Sequence, residues 1–218
     1  MKKNKSIIFW LLSGCFLIFT MVVIGGITRL THSGLSMVNW NLITGTILPL
    51  NEVQWQETFE LYKTSPEYLK INSHFTLDEF KSIFFWEYLH RLIGRVLGLV
   101  FIIPFIYFLI KKKLTQKLKI QSTLLLLMGA MQGAIGWWMV KSGLVDRPDV
   151  SHYRLAIHLI TAFLTCAYIV WVALPLIFSN NNTDNSNNYD NYNNGAITRN
   201  LNKKPYNHYK NSQSNNND

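Results

Sequence analysis

Four continuous apolar stretches alternate with polar segments along the chain, at residues 7–27, 84–110, 120–140 and 152–178. Each holds about 20 residues or more, the length a helix needs to cross a bilayer. The first has the charged start and apolar core of a signal peptide. It is longer than an ordinary apolar signal region and no small-residue cleavage site follows it, so a retained helix is expected. Gly25 and Gly26 near the end of the first span, and Gly129, Gly133 and Gly136 in the third, predict close helix packing. Pro104 predicts a kink in the second.

The polar segments differ in character. Residues 28–84 form a large loop carrying Trp40, Trp55 and Tyr62, in which Glu52, Glu57, Glu60, Glu67, Asp78 and Glu79 outnumber the basic groups. Within it the spacing of Val53, Trp55, Phe59 and Tyr62 predicts a helix over 52–63, and Thr76 with Glu79 forms a capping-box signature that starts another. Such helices suit the membrane interface, where Trp and Tyr are favoured. Residues 141–151 make a short loop on the same side. From 179 to 218, roughly two-fifths of the residues are Asn, with no periodicity and too few apolar groups to offset ordering entropy; disorder is expected there. The predicted fold class is therefore an all-α membrane protein, a four-helix transmembrane bundle over 1–178 with a large outer loop containing short helices, followed by a disordered C-terminal tail over 179–218.

Composition changes this picture little. Of 218 residues 49% are hydrophobic, and the mean hydropathy of +0.09 conceals the segregation. The net charge of +9 could mean nucleic acid, but its placement argues otherwise. Lys2, Lys3 and Lys5 precede the first span, and Lys111, Lys112, Lys113, Lys117 and Lys119 lie between the second and third, as expected of cytoplasmic ends. The N-terminus is thus expected inside, the 28–84 loop outside. No basic patch interleaved with aromatics points to nucleic acid. The two cysteines, Cys15 and Cys166, each sit alone in a span and read as small buried side chains.

Ionisable side chains within spans are costly, so each asks for a reason. The second span opens with Trp86-Glu87-Tyr88-Leu89-His90-Arg91 and then Gly94-Arg95; the fourth opens with His152-Tyr153-Arg154 and reaches His158. Counted from Phe84 and Ser151, His90 and His158 lie six and seven residues in, so at about 1.5 Å per residue their depths differ by roughly one rise. Two helices running the same way then present imidazoles at one level, which suits a heme iron held between two axial histidines. A zinc site would want further nearby ligands. The alternative is that each His simply hydrogen-bonds between helices. Glu87, three residues before His90, shares its face and could stabilise positive charge on a substrate or move protons; alternatively it pairs with Arg91 or Arg154. Arg91, Arg95 and Arg154 could pair with heme propionates, or snorkel to headgroups. His32, His74 and His152 read as surface residues.

These residues carry a resemblance. The run from Gly25 through Thr28-Arg29-Leu30-Thr31-His32-Ser33-Gly34-Leu35 to Ser36 is similar to heme A synthase. So are Glu87-Tyr88-Leu89-His90-Arg91 with Gly94-Arg95, Gly136-Trp137-Trp138-Met139-Val140-Lys141-Ser142-Gly143-Leu144, and Tyr153-Arg154-Leu155-Ala156-Ile157-His158-Leu159. The likeness extends over 7–178, closer to the mitochondrial and Gram-negative branch, since this loop lacks the paired cysteines of some Gram-positive members; Leu48-Pro49 stands where the family often has two prolines. The resemblance implies oxidation of a heme O methyl group to a formyl group, making heme A for cytochrome oxidase. It implies that His90 and His158 hold the substrate heme, that Glu87 is catalytic, and that an eight-span protein is built from two four-span halves, the second carrying a heme b cofactor.

This chain ends after four spans and a tail, so it is expected to supply the substrate-heme half and to be inactive alone. A truncated or frameshifted gene product is favoured over a half that assembles with another chain or with itself. The partners expected are membrane lipid, heme O, a heme O synthase, cytochrome oxidase assembly factors or a second half-chain. Without an Arg-rich presequence, a bacterial inner membrane is preferred to the mitochondrial one. The competing functions are a bis-histidine membrane cytochrome for electron transfer, in which Glu87 is dispensable, and a non-catalytic heme chaperone in oxidase assembly.

Overall fold

The computed structural model describes the backbone of residues 5–38, 47–145 and 148–201, and the side chains of 5–38, 47–144 and 148–179. Trp40 and His208 lie outside these residues. The described chain is helical: α1 (Lys5–Leu30), α2 (Glu52–Lys63), a π-helical turn (Tyr68–Asn72), α3 (Leu77–Ile110), α4 (Gln116–Val145) and α5 (His152–Leu201). Four are long and apolar enough to cross a membrane: α1, α3, α4 to Leu144, and α5 to Ser179. The protein is an integral membrane protein with a four-span bundle.

The boundaries differ from the sequence reading in two places. The helix that begins at the Thr76 capping box is continuous with the second span, so one helix of 34 residues replaces an interfacial helix and a separate span. The capping box itself is formed, Thr76 accepting from the Glu79 amide while the Glu79 carboxylate accepts from the Thr76 amide. Second, α5 runs on past Phe178 through Leu201. Residues Lys2–Ile177 form one compact unit, and a second begins at Phe178. The disorder expected for the tail falls mostly on side chains from 180 onward and on residues 202–218, which are not described.

Two helices end in the same way. At α1, His32 adopts a left-handed conformation (φ 52°), with Ser33 N–H donating to Thr28 O and His32 N–H to Arg29 O. At α3, Lys112 (φ 49°) does the same, with Lys113 N–H to Phe108 O and Lys112 N–H to Leu109 O. This is the Schellman arrangement, here closed without glycine.

Two apolar clusters hold the first unit together. At the lysine-flanked end, Ile7, Trp10 and Leu11 of α1 pack with Phe105 and Phe108 of α3, Leu118 and Leu125 of α4, and Ile169, Val172 and Ala173 of α5. Trp10 does more than fill space. Pro104 lacks an N–H, which frees the carbonyl of Val100 four residues earlier, and Trp10 Nε1 donates to that carbonyl at 3.1 Å. At the opposite end, Met37, Phe59, Tyr62, Phe80, Ile83 and Phe84 form a second cluster beneath a cap made by α2, the π-helical turn and the start of α3. Between the clusters the spans are lightly packed: no residue is buried from Tyr88 to Pro104 on α3, after Leu125 and before Gly143 on α4, or from His152 to Leu164 on α5.

The glycine expectation holds in part. Gly25 and Gly136 face close neighbours, but a Cβ at Gly26, Gly129 or Gly133 would meet nothing within 4 Å, so those three do not mediate packing within this unit. Gly143 is a tight contact instead, where a Cβ would lie 2.7 Å from the Leu35 side chain. It lets the turn after α1 sit on the end of α4.

Candidate functional site

The lightly packed band is where His90 and His158 lie. His90 comes from α3 and rests against Gly25 of α1; a Cβ there would stand 3.2 Å from His90 Nε2. His158 comes from α5 and rests against Gly136 of α4, whose Cβ would stand 3.3 Å from His158 Cε1. Both rings therefore point into the bundle, and they lie within electrostatic range of each other. Neither makes a side-chain hydrogen bond to a described residue, and His158 Nδ1 is buried without a partner. A histidine kept only to join helices would be expected to use its ring nitrogens for that purpose, because buried polar atoms are normally satisfied. Among the described residues no group of three or more His, Cys, Asp or Glu gathers as a metal site. Two imidazoles without a hydrogen-bond partner among the described residues, in a band where no described residue of α3 or α5 is fully buried, suit a flat group ligated from both faces.

Glu87 is buried (3% exposed) and fully engaged. Its Oε2 accepts from Ser36 Oγ at 2.7 Å and from the Met37 amide at 2.9 Å, while Oε1 pairs with Arg91 Nη2. Arg91 also donates to Met37 O at 3.2 Å. One carboxylate thus ties residues 33–38, the turn after α1, to α3. Three donors, one of them cationic, offset much of the cost of burying that charge. Of the alternatives the sequence left open, the ion pair is the one made, and its partner is Arg91. Ser36 and Met37 were not singled out. Ser36 had only its place at the end of the run Ser33-Gly34-Leu35-Ser36 and Met37 only its place beside it, since no periodicity links positions 51 and 50 residues apart.

The other basic residues separate. Arg95 sits one turn beyond Arg91 on α3 and is half-buried. Arg154 is occupied at the mouth of the band: its Nη1 donates to Trp138 O at 2.7 Å and its guanidinium lies 4.3 Å over the Trp138 ring. His152 meets Arg29 Nη2 through Nδ1 at 3.2 Å, so this exposed residue joins the starts and ends of two spans.

The cap holds a second buried carboxyl. Glu67 is 4% exposed and accepts from Tyr62 Oη at 3.1 Å; Asn72 Nδ2 donates to that same oxygen at 2.8 Å. Tyr62 itself is wholly buried, stacked on Phe80. Burial pushes the Glu67 carboxyl up to about 8, the Tyr62 hydrogen bond works against that rise, and the Glu87 charge adds to it. Burial likewise raises the Tyr62 phenol. Two buried carboxyl groups thus differ in their surroundings: Glu87 is paired with Arg91, while Glu67 has no cationic partner among the described residues and is largely neutral at pH 7.

The two thiols that the sequence read as isolated are neighbours. Cys15 Sγ of α1 and Cys166 Sγ of α5 lie 2.7 Å apart, both half-buried and both unlinked.

Comparison with known proteins places this geometry in context. The chain is 65% identical over 180 residues to a heme A synthase of Flavobacterium psychrophilum, covering 82% of this chain and 53% of that protein. It is 58% identical over 183 residues to the heme A synthase of Flavobacterium johnsoniae, covering 83% and 54%. To a heme A synthase–mitochondrial ferredoxin fusion protein of Schizosaccharomyces pombe it is 50% identical over 175 residues, covering 77% and 28%. The chain spans about half the length of the bacterial relatives. No solved structure matches it. A model of cytochrome oxidase assembly proteins matches residues 8–199, through all four spans and both histidines, and on that match the chain belongs to the COX15-CtaA family.

Proposed function

We propose that this chain is the substrate-binding half of a heme A synthase, holding heme O between α3 and α5 with His90 and His158 as axial ligands. The observation that carries this is the pair of inward-facing imidazoles, unengaged by described residues, in a stretch of the bundle where no described residue of α3 or α5 is fully buried. When bound, heme O supplies the ring methyl that the complete enzyme oxidises to a formyl group. Relatives named heme A synthase at 65% and 58% identity support that reaction.

The chain's own residues then have distinct tasks. His90 and His158 fix the depth and tilt of the macrocycle. Glu87, bonded to Arg91, Ser36 and the Met37 amide, sets a carboxylate one turn from His90, where it stabilises positive charge developing at the ring edge. Through the same bonds it holds the 33–38 turn over the band and limits entry of water. Arg91, Arg95 and Arg154 are the candidate partners for the heme propionates, Arg154 lying over the Trp138 ring and bonded to the Trp138 carbonyl. The resemblance implies that heme b belongs to the half of the relatives that this chain does not cover. The lysine-flanked end lies inside and the cap outside, in a bacterial inner membrane. Residues 1–178 act as the heme-binding domain and 179–218 as a separate tail.

The test is spectroscopic. The full chain is purified in mild detergent, incubated with heme O, and its absorbance compared with that of His90→Ala and His158→Ala. The reading expects low-spin bands in the unaltered chain and their loss in each variant. Unchanged low-spin absorbance in both variants would end it. Glu87→Gln separates synthase from electron carrier: heme binding persists, and heme A formation is lost when the second half is supplied.

A further inference from the structure

Each proposed ligand touches a glycine on the neighbouring span. A methyl group at Gly25 would stand 3.2 Å from His90 Nε2 and 3.5 Å from Cδ2. One at Gly136 would stand 3.3, 3.6 and 3.9 Å from His158 Cε1, Nε2 and Nδ1. These are the donor edges of the rings. At such distances the neighbour must give way by a few tenths of an ångström, and a helix-borne imidazole can do so only by turning or sliding. The glycines on either side behave differently: a Cβ at Gly26 or Gly133 would meet nothing.

We infer that Gly25 and Gly136 are positioning residues, keeping the donor edges of His90 and His158 clear so that both rings address one iron. This rests on the proposed heme site. The arrangement is reciprocal: α1 serves the ligand of α3, and α4 serves the ligand of α5. Every span then contributes to the site, two with a ligand and two with the absence of a side chain. Neither glycine is there for backbone freedom, since both lie inside helices with no positive φ. Alanine has a higher helix propensity than glycine at either position, so weakening of the helix cannot explain a loss of heme.

The experiment uses the full chain in mild detergent with hemin, ferric protoporphyrin, as the probe. Four single variants are compared: Gly25→Ala, Gly136→Ala, and the neighbours Gly26→Ala and Gly133→Ala. Two quantities are read, the low-spin electron paramagnetic resonance signal and the rate of hemin transfer to a scavenging apoglobin. Thermal unfolding of the heme-free variants shows that each is folded. Gly25→Ala is expected to convert low-spin to high-spin iron and to speed hemin loss about tenfold or more, the size of effect typical of groups that orient a ligand. Gly136→Ala is expected to shift the low-spin g-values with a smaller change in rate, and the two neighbours to match the unaltered chain. Should Gly25→Ala fail to fold, Gly136→Ala against Gly133→Ala decides alone. Four variants with the same spectrum and rate as the unaltered chain overturn the inference while leaving the heme site standing. An unaltered chain that takes up no low-spin hemin overturns the site and the inference together.

Discussion

Replacing Glu67 by glutamine should make the cap more stable at pH 7, although it removes a buried carboxyl that accepts a hydrogen bond. The carboxyl's proton affinity rises from 4.5 to about 8 when it is buried beside Tyr62 and Asn72, with Glu87 the other charged group facing it. In the opened cap it ionises at its ordinary value. Between these two values the closed form holds a proton that the open form has released, so closing becomes less favourable as pH rises. Stability from this group is complete below 4.5, falls through the interval, and is lost by about 8. At 1.36 kcal/mol per unit, the cost at pH 7 is about 3 kcal/mol. Glutamine is neutral throughout, and its amide oxygen can accept from the Tyr62 hydroxyl as the carboxyl does. The assay is hydrogen exchange of the cap amides over 52–76, normalised at each pH to the unstructured peptide. Protection in the unaltered chain should decline from pH 4.5 to 8 and stay level in Glu67→Gln, with the variant better protected at pH 7. Parallel pH slopes, or a variant less protected at pH 7, would refute the reasoning.

Trp10→Phe keeps the aromatic packing against Phe101, Phe105 and Phe108 but leaves the Val100 carbonyl without its donor. It should lower stability in detergent by about 1–2 kcal/mol, and an unchanged melting curve would show that the carbonyl is served otherwise. Arg91→Ala strands a buried carboxylate and should cost about 3–5 kcal/mol, measured as loosened protection over 33–38. Adding Glu87→Leu should restore much of that protection, and a double variant as loose as the single would contradict the ion-pair account. A membrane-permeant oxidant should join Cys15 to Cys166, read as loss of both alkylatable thiols after denaturation; two thiols still alkylated would mean that α1 and α5 do not meet there.

What the sequence made legible follows from the range of each interaction. The spans were readable because bilayer crossing is a property of local composition, and the capping box because both partners lie within one turn. The expectation of equal depth for His90 and His158 came from a helical rise counted from two span ends. The rest was hidden wherever partners are far apart in sequence. Nothing local joins Glu87 to Ser36 and Met37, Trp10 to Val100, or Cys15 to Cys166. The glycines show the same limit: Gly25 and Gly26 are equivalent in sequence, and only the position of His90 distinguishes them. The helix boundary near Phe84 was misplaced because polar residues at an interface do not stop a helix whose hydrogen bonds are already propagating.

The account stands on His90 and His158 ligating one iron from opposite faces. Near-infrared magnetic circular dichroism of the ferric heme-loaded chain reads axial ligands directly. A charge-transfer band at the bis-imidazole position, moving in both His90→Ala and His158→Ala, is the predicted result. A band at another ligand's position, or one that either variant leaves unmoved, would contradict it.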